Sequence, residues 1–218
     1  MEKNRGTKVI AIVALLVGVV GLSLGFAAFS NNLTISSSAE VRPDSSAFNV
    51  DFSSSNSAVE TNPVVATVSD ATEVTATNAT IDNTTNPTIT NLKATFTEPG
   101  QSATYSFYAY NAGQYVAYLN SIIYGNVSGE ATNKVCTAKT GTTQALVDSA
   151  CNGISVSVKV GSEAVTTGSV ATISGHSLAK DSAEQVVVTI SYASESAIAD
   201  GDFDVAFGDI TLTYDSVD

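Results

Sequence analysis

Short segments in which apolar and polar residues alternate recur along this chain, most clearly at Ile154–Val160 (ISVSVKV) and at residues 186–192 (VVVTISY). A period of two places the apolar side chains on one face of a β-strand, and turn residues such as 98–100 (EPG) separate the segments. Ala117–Tyr124 (AYLNSIIY) is apolar on both faces, which predicts a central, buried strand. No strand alternates with a long helical pattern. The sequence therefore predicts an all-β antiparallel sandwich, either jelly-roll or immunoglobulin-like.

A long uncharged segment, residues 9–29, lies near the N-terminus behind three basic residues. A basic flank, an apolar stretch and small residues at its end are typical of a secretory signal. The best cleavage position lies between Ala27 and Ala28. A retained membrane anchor is the alternative, because about 20 apolar residues span a bilayer as a helix. In either case the following residues would work outside the cytoplasm. We therefore expect a secreted or cell-surface protein that begins with a hydrophobic signal helix.

The charge of the chain excludes some classes of partner. The net charge is −12 at pH 7, and loss of the basic N-terminus would make it more negative. A strongly acidic chain is repelled by nucleic acid and by anionic membrane surfaces. We expect no nucleic-acid partner, and contact with a membrane only through the N-terminal segment before cleavage.

Residues 28–41, which follow the cleavage position, have an alternation of their own. Apolar residues occupy most odd positions and polar residues lie between them: Phe29, Leu33, Ile35, Ala39 and Val41. This predicts a strand with one face to bury. A strand at a free N-terminus can add to the sheet edge of another subunit, or it can pair within its own domain. We divide the chain into a signal peptide or uncleaved anchor (1–27), a donor-type strand (28–41) and a β-sandwich domain (42–218).

Two stretches resemble the TasA/camelysin family of secreted fibre subunits. Residues 25–31 (GFAAFSN) look like the signal-cleavage region of that family. Residues 91–113 contain Asn-Leu, Pro-Gly-Gln-Ser, an alternating strand and Asn-Ala-Gly. This order is similar to the family's "N-L, P-G-D-[ST], strand, N-x-G" run, with residues inserted before Pro99 and with Gln101 in place of the usual Asp.

The resemblance implies a jelly-roll subunit of an extracellular fibre, pilus or biofilm matrix. Such subunits would form a homopolymer in which each N-terminal strand inserts into the next protomer, and an accessory or anchoring subunit is a further candidate partner. The alternative is a monomeric surface adhesion or binding module that an uncleaved residue 9–29 helix holds at the membrane.

Side chains suited to catalysis are few. Camelysin-type proteins are sometimes classed as metallopeptidases, but the sequence has no His-Glu-x-x-His, and its one histidine, His176, lies in a Ser/Gly-rich loop. One histidine cannot form a catalytic zinc site of the usual kind, and no Gly-x-Ser-x-Gly turn supports a catalytic triad. We expect His176 to be a solvated or capping loop residue, and the protein to have no enzymatic activity and no cofactor.

Cys136 and Cys151 are the two cysteines of the chain. In an exported protein they favour one structural disulfide, with two free thiols as the alternative. Zinc or redox chemistry would need further ligands or a Cys-x-x-Cys spacing.

The densest acidic cluster is a weak candidate for a calcium site: Asp200, Asp202, Asp204 and Asp209. Carboxylates at alternate positions can converge on calcium, but the run lacks the glycine and glutamate positions of an EF-hand. A solvated turn that leads into a strand is the favoured interpretation. Four N-glycosylation sequons would matter only in a host that glycosylates; they begin at Asn32, Asn78, Asn83 and Asn126.

Overall fold

The computed structural model describes residues 47–85, 87–162 and 164–216, all within the compact unit Pro43–Asp218. In chain order the strands are β1 (Val50–Ser53), β2 (Thr67–Val68), β3 (Thr75–Thr77), β4 (Thr80–Asp82), β5 (Thr88–Thr90), β6 (Lys93–Thr95), β7 (Ser102–Asn111), β8 (Ala117–Tyr124), β9 (Lys134–Ala138), β10 (Ile154–Val160), β11 (Ala164–Thr166), β12 (Ser177–Leu178), β13 (Ala183–Tyr192), β14 (Phe203–Phe207) and β15 (Ile210–Asp215). One helix, α1 (Gln144–Cys151), lies between β9 and β10. The described chain is an antiparallel β-sandwich, which confirms the predicted fold class.

The first layer is a six-stranded sheet in the order β1-β7-β13-β10-β11, with β2 also pairing with β7. Its centre is the long pair β7 and β13, which stays in register from Ser102, opposite Ser191, to Tyr110, opposite Ala183. Alternation places the apolar residues of these strands on one buried face: Ala103, Tyr105, Phe107 and Ala109 from β7, and Val186, Val188 and Ile190 from β13. The apolar positions of the alternating pattern, from which these strands were predicted, are therefore the ones that face the core.

The second layer contains a three-stranded sheet in the order β12-β8-β15. Its central strand, β8, contributes Leu119 and Ile122 to the core. The prediction that β8 is buried on both faces is wrong, since Ile123 is 37% exposed. The reason is that β8 belongs to an outer layer, whose second face meets solvent.

A hairpin ribbon completes the second layer. Strands β3 and β6 pair with each other, and β4 pairs with β5 nearer the turn. The Tyr105 hydroxyl, which projects from β7 in the first layer, lies where the β3–β6 pairing ends and the β4–β5 pairing begins. The carbonyl oxygens of Lys93 and Thr77, at 2.7 and 3.0 Å, share its one proton, and its oxygen accepts the Lys93 N–H at 3.0 Å. Burial of a phenol is favourable only when its hydroxyl finds partners, so this contact fixes the ribbon over the core.

The disulfide lies within a peripheral unit made of β9, β14 and α1. Strand β9 pairs with β14, and helix α1 returns the chain towards β10. Cys136 on β9 and Cys151 at the end of α1 form a disulfide, as predicted. Within the described residues, no helix is long and apolar enough to cross a membrane.

The Asn111-Ala112-Gly113 run shapes the loop between β7 and β8. Asn111 is fully buried, and its amide donates to the carbonyl oxygens of Tyr115 and Leu178, at 2.7 and 2.9 Å. Its side-chain oxygen accepts the N–H of Gly113 at 3.0 Å. A Cβ on Gly113 would lie 2.6 Å from the backbone nitrogen of Asn49, so glycine lets the chain before β1 pack against this turn.

The Pro-Gly-Gln-Ser run, residues 99–102, also forms part of a turn. Gln101 is buried, and its side-chain oxygen accepts the backbone N–H groups of Thr97 and Glu98, at 2.7 and 3.2 Å. A side-chain oxygen that accepts two backbone N–H groups is the role an aspartate commonly has in a turn. Gln101 therefore caps this turn through its side-chain oxygen.

Candidate strand-pairing edge

Strand β15 lies at one border of the three-stranded sheet, and its outer edge is unpaired among the described residues. The Gly125 N–H donates to the Asp209 carbonyl oxygen, so in an antiparallel ladder Thr211 and Thr213 also bond to β8. The N–H and C=O groups of Ile210 and Leu212 therefore point away from β8. Among the described strands, none pairs with β15 on that side. An unpaired strand edge is a template for pairing with another strand.

Half-buried apolar side chains line this edge. Ile210, Leu212 and Tyr214 pack against the main core cluster but remain partly exposed. Residues of the ribbon, including Leu92 and Phe96, pack against the same cluster and are also only partly covered. In the described chain no strand pairing joins the ribbon to β15. An added strand at β15 would gain both main-chain hydrogen bonds and contact with apolar side chains.

A polar contact between the two layers fixes β15. The Tyr214 hydroxyl donates to Glu184 on β13 at 2.5 Å, and the second carboxylate oxygen of Glu184 contacts Nε2 of His176. Burial and the neighbouring Glu184 carboxylate raise the pKa of Tyr214 well above its usual value. The phenol therefore stays protonated and continues to donate. This network links β15 to the six-stranded sheet.

His176 was predicted to be a solvated or capping loop residue; it does lie in a loop, but its side chain is partly buried and not solvated. Its side chain is only 17% exposed and pairs with Glu184, which is 11% exposed. The alternating segment of the sequence begins at Val186, whereas β13 begins at Ala183 and brings the Glu184 carboxylate inward. His176 also borders a cleft of about 290 Å³ between Ile122, Val165 and Ile173. There is no local signal in the sequence for this pair, because the two residues are eight positions apart and lie on either side of β12.

The predicted cleavage position and donor strand lie outside the described residues: Ala27, Ala28, Phe29, Leu33, Ile35, Ala39 and Val41. The predicted signal helix and the sequon at Asn32 lie outside them as well. These assignments stay predictions.

The four aspartates of the weak calcium candidate do not gather around one point. Asp200 accepts the N–H and hydroxyl of Thr143, at 2.9 and 2.6 Å, at the start of α1. Both hydrogen bonds lower the pKa of Asp200, and the bond from the Thr143 hydroxyl has the larger effect. Asp204 instead pairs with Lys139 at 3.0 Å, and Asp209 lies in the turn before β15. In the part of the chain that the structure describes, no three acidic, His or Cys side chains are grouped to hold a metal.

The sequons within the described residues differ in exposure. Asn78 and Asn126 are exposed, whereas Asn83 is half-buried. The Asn83 amide is engaged with the backbone of β1, at Phe52. The sequence marks Asn83 only as a sequon, because its contact lies 31 residues away in the chain.

Comparison with protein-family models, curated proteins and solved structures finds no match for this chain.

Proposed function

We propose that the protein is a structural subunit of an extracellular or cell-surface fibre, which polymerises when the N-terminal strand of one copy pairs with β15 of the next. The open edge of β15 carries this proposal. It combines outward-pointing main-chain groups at Ile210 and Leu212 with half-buried apolar side chains over the core. The alternating segment 28–41 has the complementary pattern, with an apolar face for the core and a polar face for solvent.

Pairing of this kind would gain free energy from buried apolar surface. Five apolar side chains of the donor segment would contribute roughly 5–10 kcal/mol by burial, before the cost of ordering the strand. Main-chain hydrogen bonds to β15 would add specificity for register. A contact of this type repeats head to tail, and it generates an open filament when the rotation between subunits does not close a ring.

The two faces of the donor segment supply a matched test. Leu33→Asp with Ile35→Asp places charges on the face that would enter the core, whereas Thr34→Asp with Ser36→Asp places the same charges on the opposite face. We expect fibres of the wild-type protein in electron micrographs, fibres of the Thr34/Ser36 variant, and none of the Leu33/Ile35 variant.

The controls separate polymerisation from folding. Circular dichroism of each variant should show the same β content, because the sandwich domain has its own core. Equal loss of fibres in both variants would contradict a role for the apolar face. A wild-type protein that remains monodisperse at high concentration would instead favour the anchored monomeric module.

A further inference from the structure

The outer edge of β1 is closed by a side chain. Strand β1 lies at one border of the six-stranded sheet and pairs with β7 through Asp51 and Ser53, so Phe52 directs its N–H and C=O outward. The side-chain oxygen of Asn83 accepts the Phe52 N–H at 3.2 Å, and its amide donates to the Phe52 carbonyl oxygen at 2.7 Å. A carboxamide thus makes the same pair of bonds that a neighbouring strand would make.

The position of Asn83 makes this contact specific. It follows directly after β4 in the hairpin ribbon, and the ribbon is held over the core by the Tyr105 hydroxyl. The Phe52 ring packs edge-on against Phe107 with ring centroids 5.3 Å apart, which fixes the strand that Asn83 caps. Both partners are therefore supported independently of the hydrogen bonds between them.

The opposite border of the same sheet has a similar device. Strand β11 covers only Val158–Val160 of β10, so the first residues of β10 lie at the border. Lys134 is half-buried there and donates from Nζ to the carbonyl oxygens of Cys151 and Ile154, both at 2.6 Å. Side chains thus occupy edge groups at both borders of the six-stranded sheet, while the β15 edge of the other layer has no such contact among the described residues.

We infer that Asn83 is an edge guard: its carboxamide replaces a neighbouring strand at Phe52 and prevents β1 from pairing with β1 of a second copy of the chain. Two such edges are identical, so once uncovered they can pair antiparallel about a twofold axis. If the proposed polymerisation through β15 is right, the guard also confines strand pairing to that edge. The guard itself does not depend on that proposal.

The test is the hydrogen exchange of the Phe52 amide in the full chain, measured by NMR at several protein concentrations. Asn83→Ala is compared with the wild type and with Asn78→Ala, a matched change at an exposed asparagine of the same ribbon. In dilute Asn83→Ala protein we expect the Phe52 amide to exchange at least about tenfold faster than in the wild type. On concentration it should regain protection as sedimentation shows β1-mediated dimers, whereas Asn78→Ala should behave as wild type.

Asn83→Asp serves as a second variant. It keeps an acceptor for the Phe52 N–H but places charge at the edge, so it should protect that amide and remain unassociated. The inference is overturned if Asn83→Ala leaves Phe52 protected, or if it exposes Phe52 without any increase in mass at high concentration. Because exchange is read at Phe52, failure of the wild type to form fibres would refute the proposed function without affecting this result.

Discussion

Tyr214 offers a quantitative test of how β15 is held in place. Its hydroxyl donates to the Glu184 carboxylate across the two layers. A hydrogen bond to a charged group contributes roughly 1.5–3 kcal/mol. Tyr214→Phe removes this bond while preserving the ring, so we expect the free energy of unfolding at pH 7 to fall by about 2 kcal/mol.

The same contact predicts an alkaline pH dependence. Burial and the Glu184 carboxylate raise the pKa of Tyr214 in the folded state above its ordinary value of 10.0. A folded pKa above the unfolded one means that the stabilisation is complete below about pH 10 and is lost above it, by about 1.4 kcal/mol per pH unit. The difference of about 2 kcal/mol in unfolding free energy between the wild type and Tyr214→Phe should therefore vanish close to pH 11.5.

Urea unfolding followed by circular dichroism at pH 7, 10, 11 and 11.5 measures both effects. Burial also raises the pKa of Tyr105, Tyr124 and Tyr192, but these are present in both proteins and cancel in the difference. Tyr115→Phe, at a side chain that is 40% exposed, should change the stability at pH 7 by less than about 0.5 kcal/mol. A Tyr214→Phe protein as stable as wild type at pH 7, or a constant difference up to pH 11.5, would refute the reasoning.

Three further predictions concern the scaffold. Replacement of Cys136 and Cys151 by alanine should lower the free energy of unfolding in urea by about 3 kcal/mol, because the disulfide joins residues 15 apart; no change would contradict a structural role. Tyr105→Phe should cost about 2 kcal/mol and speed hydrogen exchange in β3 and β6 more than in β13, whereas uniform exchange would argue against a local pin. Gly113→Ala should lower the melting temperature, since its Cβ would lie 2.6 Å from a backbone nitrogen, while Gly168→Ala, with nothing within 4 Å, should not.

The alternating pattern was sufficient to predict the long strands but not the short ones. Strands β7, β10 and β13 are long enough for a period of two to be visible, and each buries its apolar face. Strands β11 and β12 have three and two residues, too few to carry a period. Pairing with β7 extends β13 back to Ala183, before the alternating segment begins at Val186. Tertiary pairing therefore overrides local composition there.

The candidate edge was predictable only in part. The strand at Ile210 follows from its alternation, but its freedom on one side depends on how the sheets assemble. The contacts of Glu184 with His176, and of Asn83 with Phe52, join residues on different elements and leave no local signal. In the acidic cluster, spacing alone groups Asp200 with Asp204, while the structure gives each a separate partner, Thr143 and Lys139.

The most direct measurement of the proposed assembly is disulfide cross-linking between two differently tagged versions of the chain. One version carries Thr211→Cys on the exposed face of β15, and the other carries Thr34→Cys, Ser36→Cys or Ser38→Cys in turn, because side chains opposite each other on paired strands approach closely enough to bond. The native cysteines are already bonded to each other. Strand donation predicts cross-linked pairs that carry both tags, and none when Ser155→Cys on β10 replaces Thr211→Cys. A third version that carries both new cysteines serves as the control: cross-links within that chain, with none between the two differently tagged chains, would contradict strand donation.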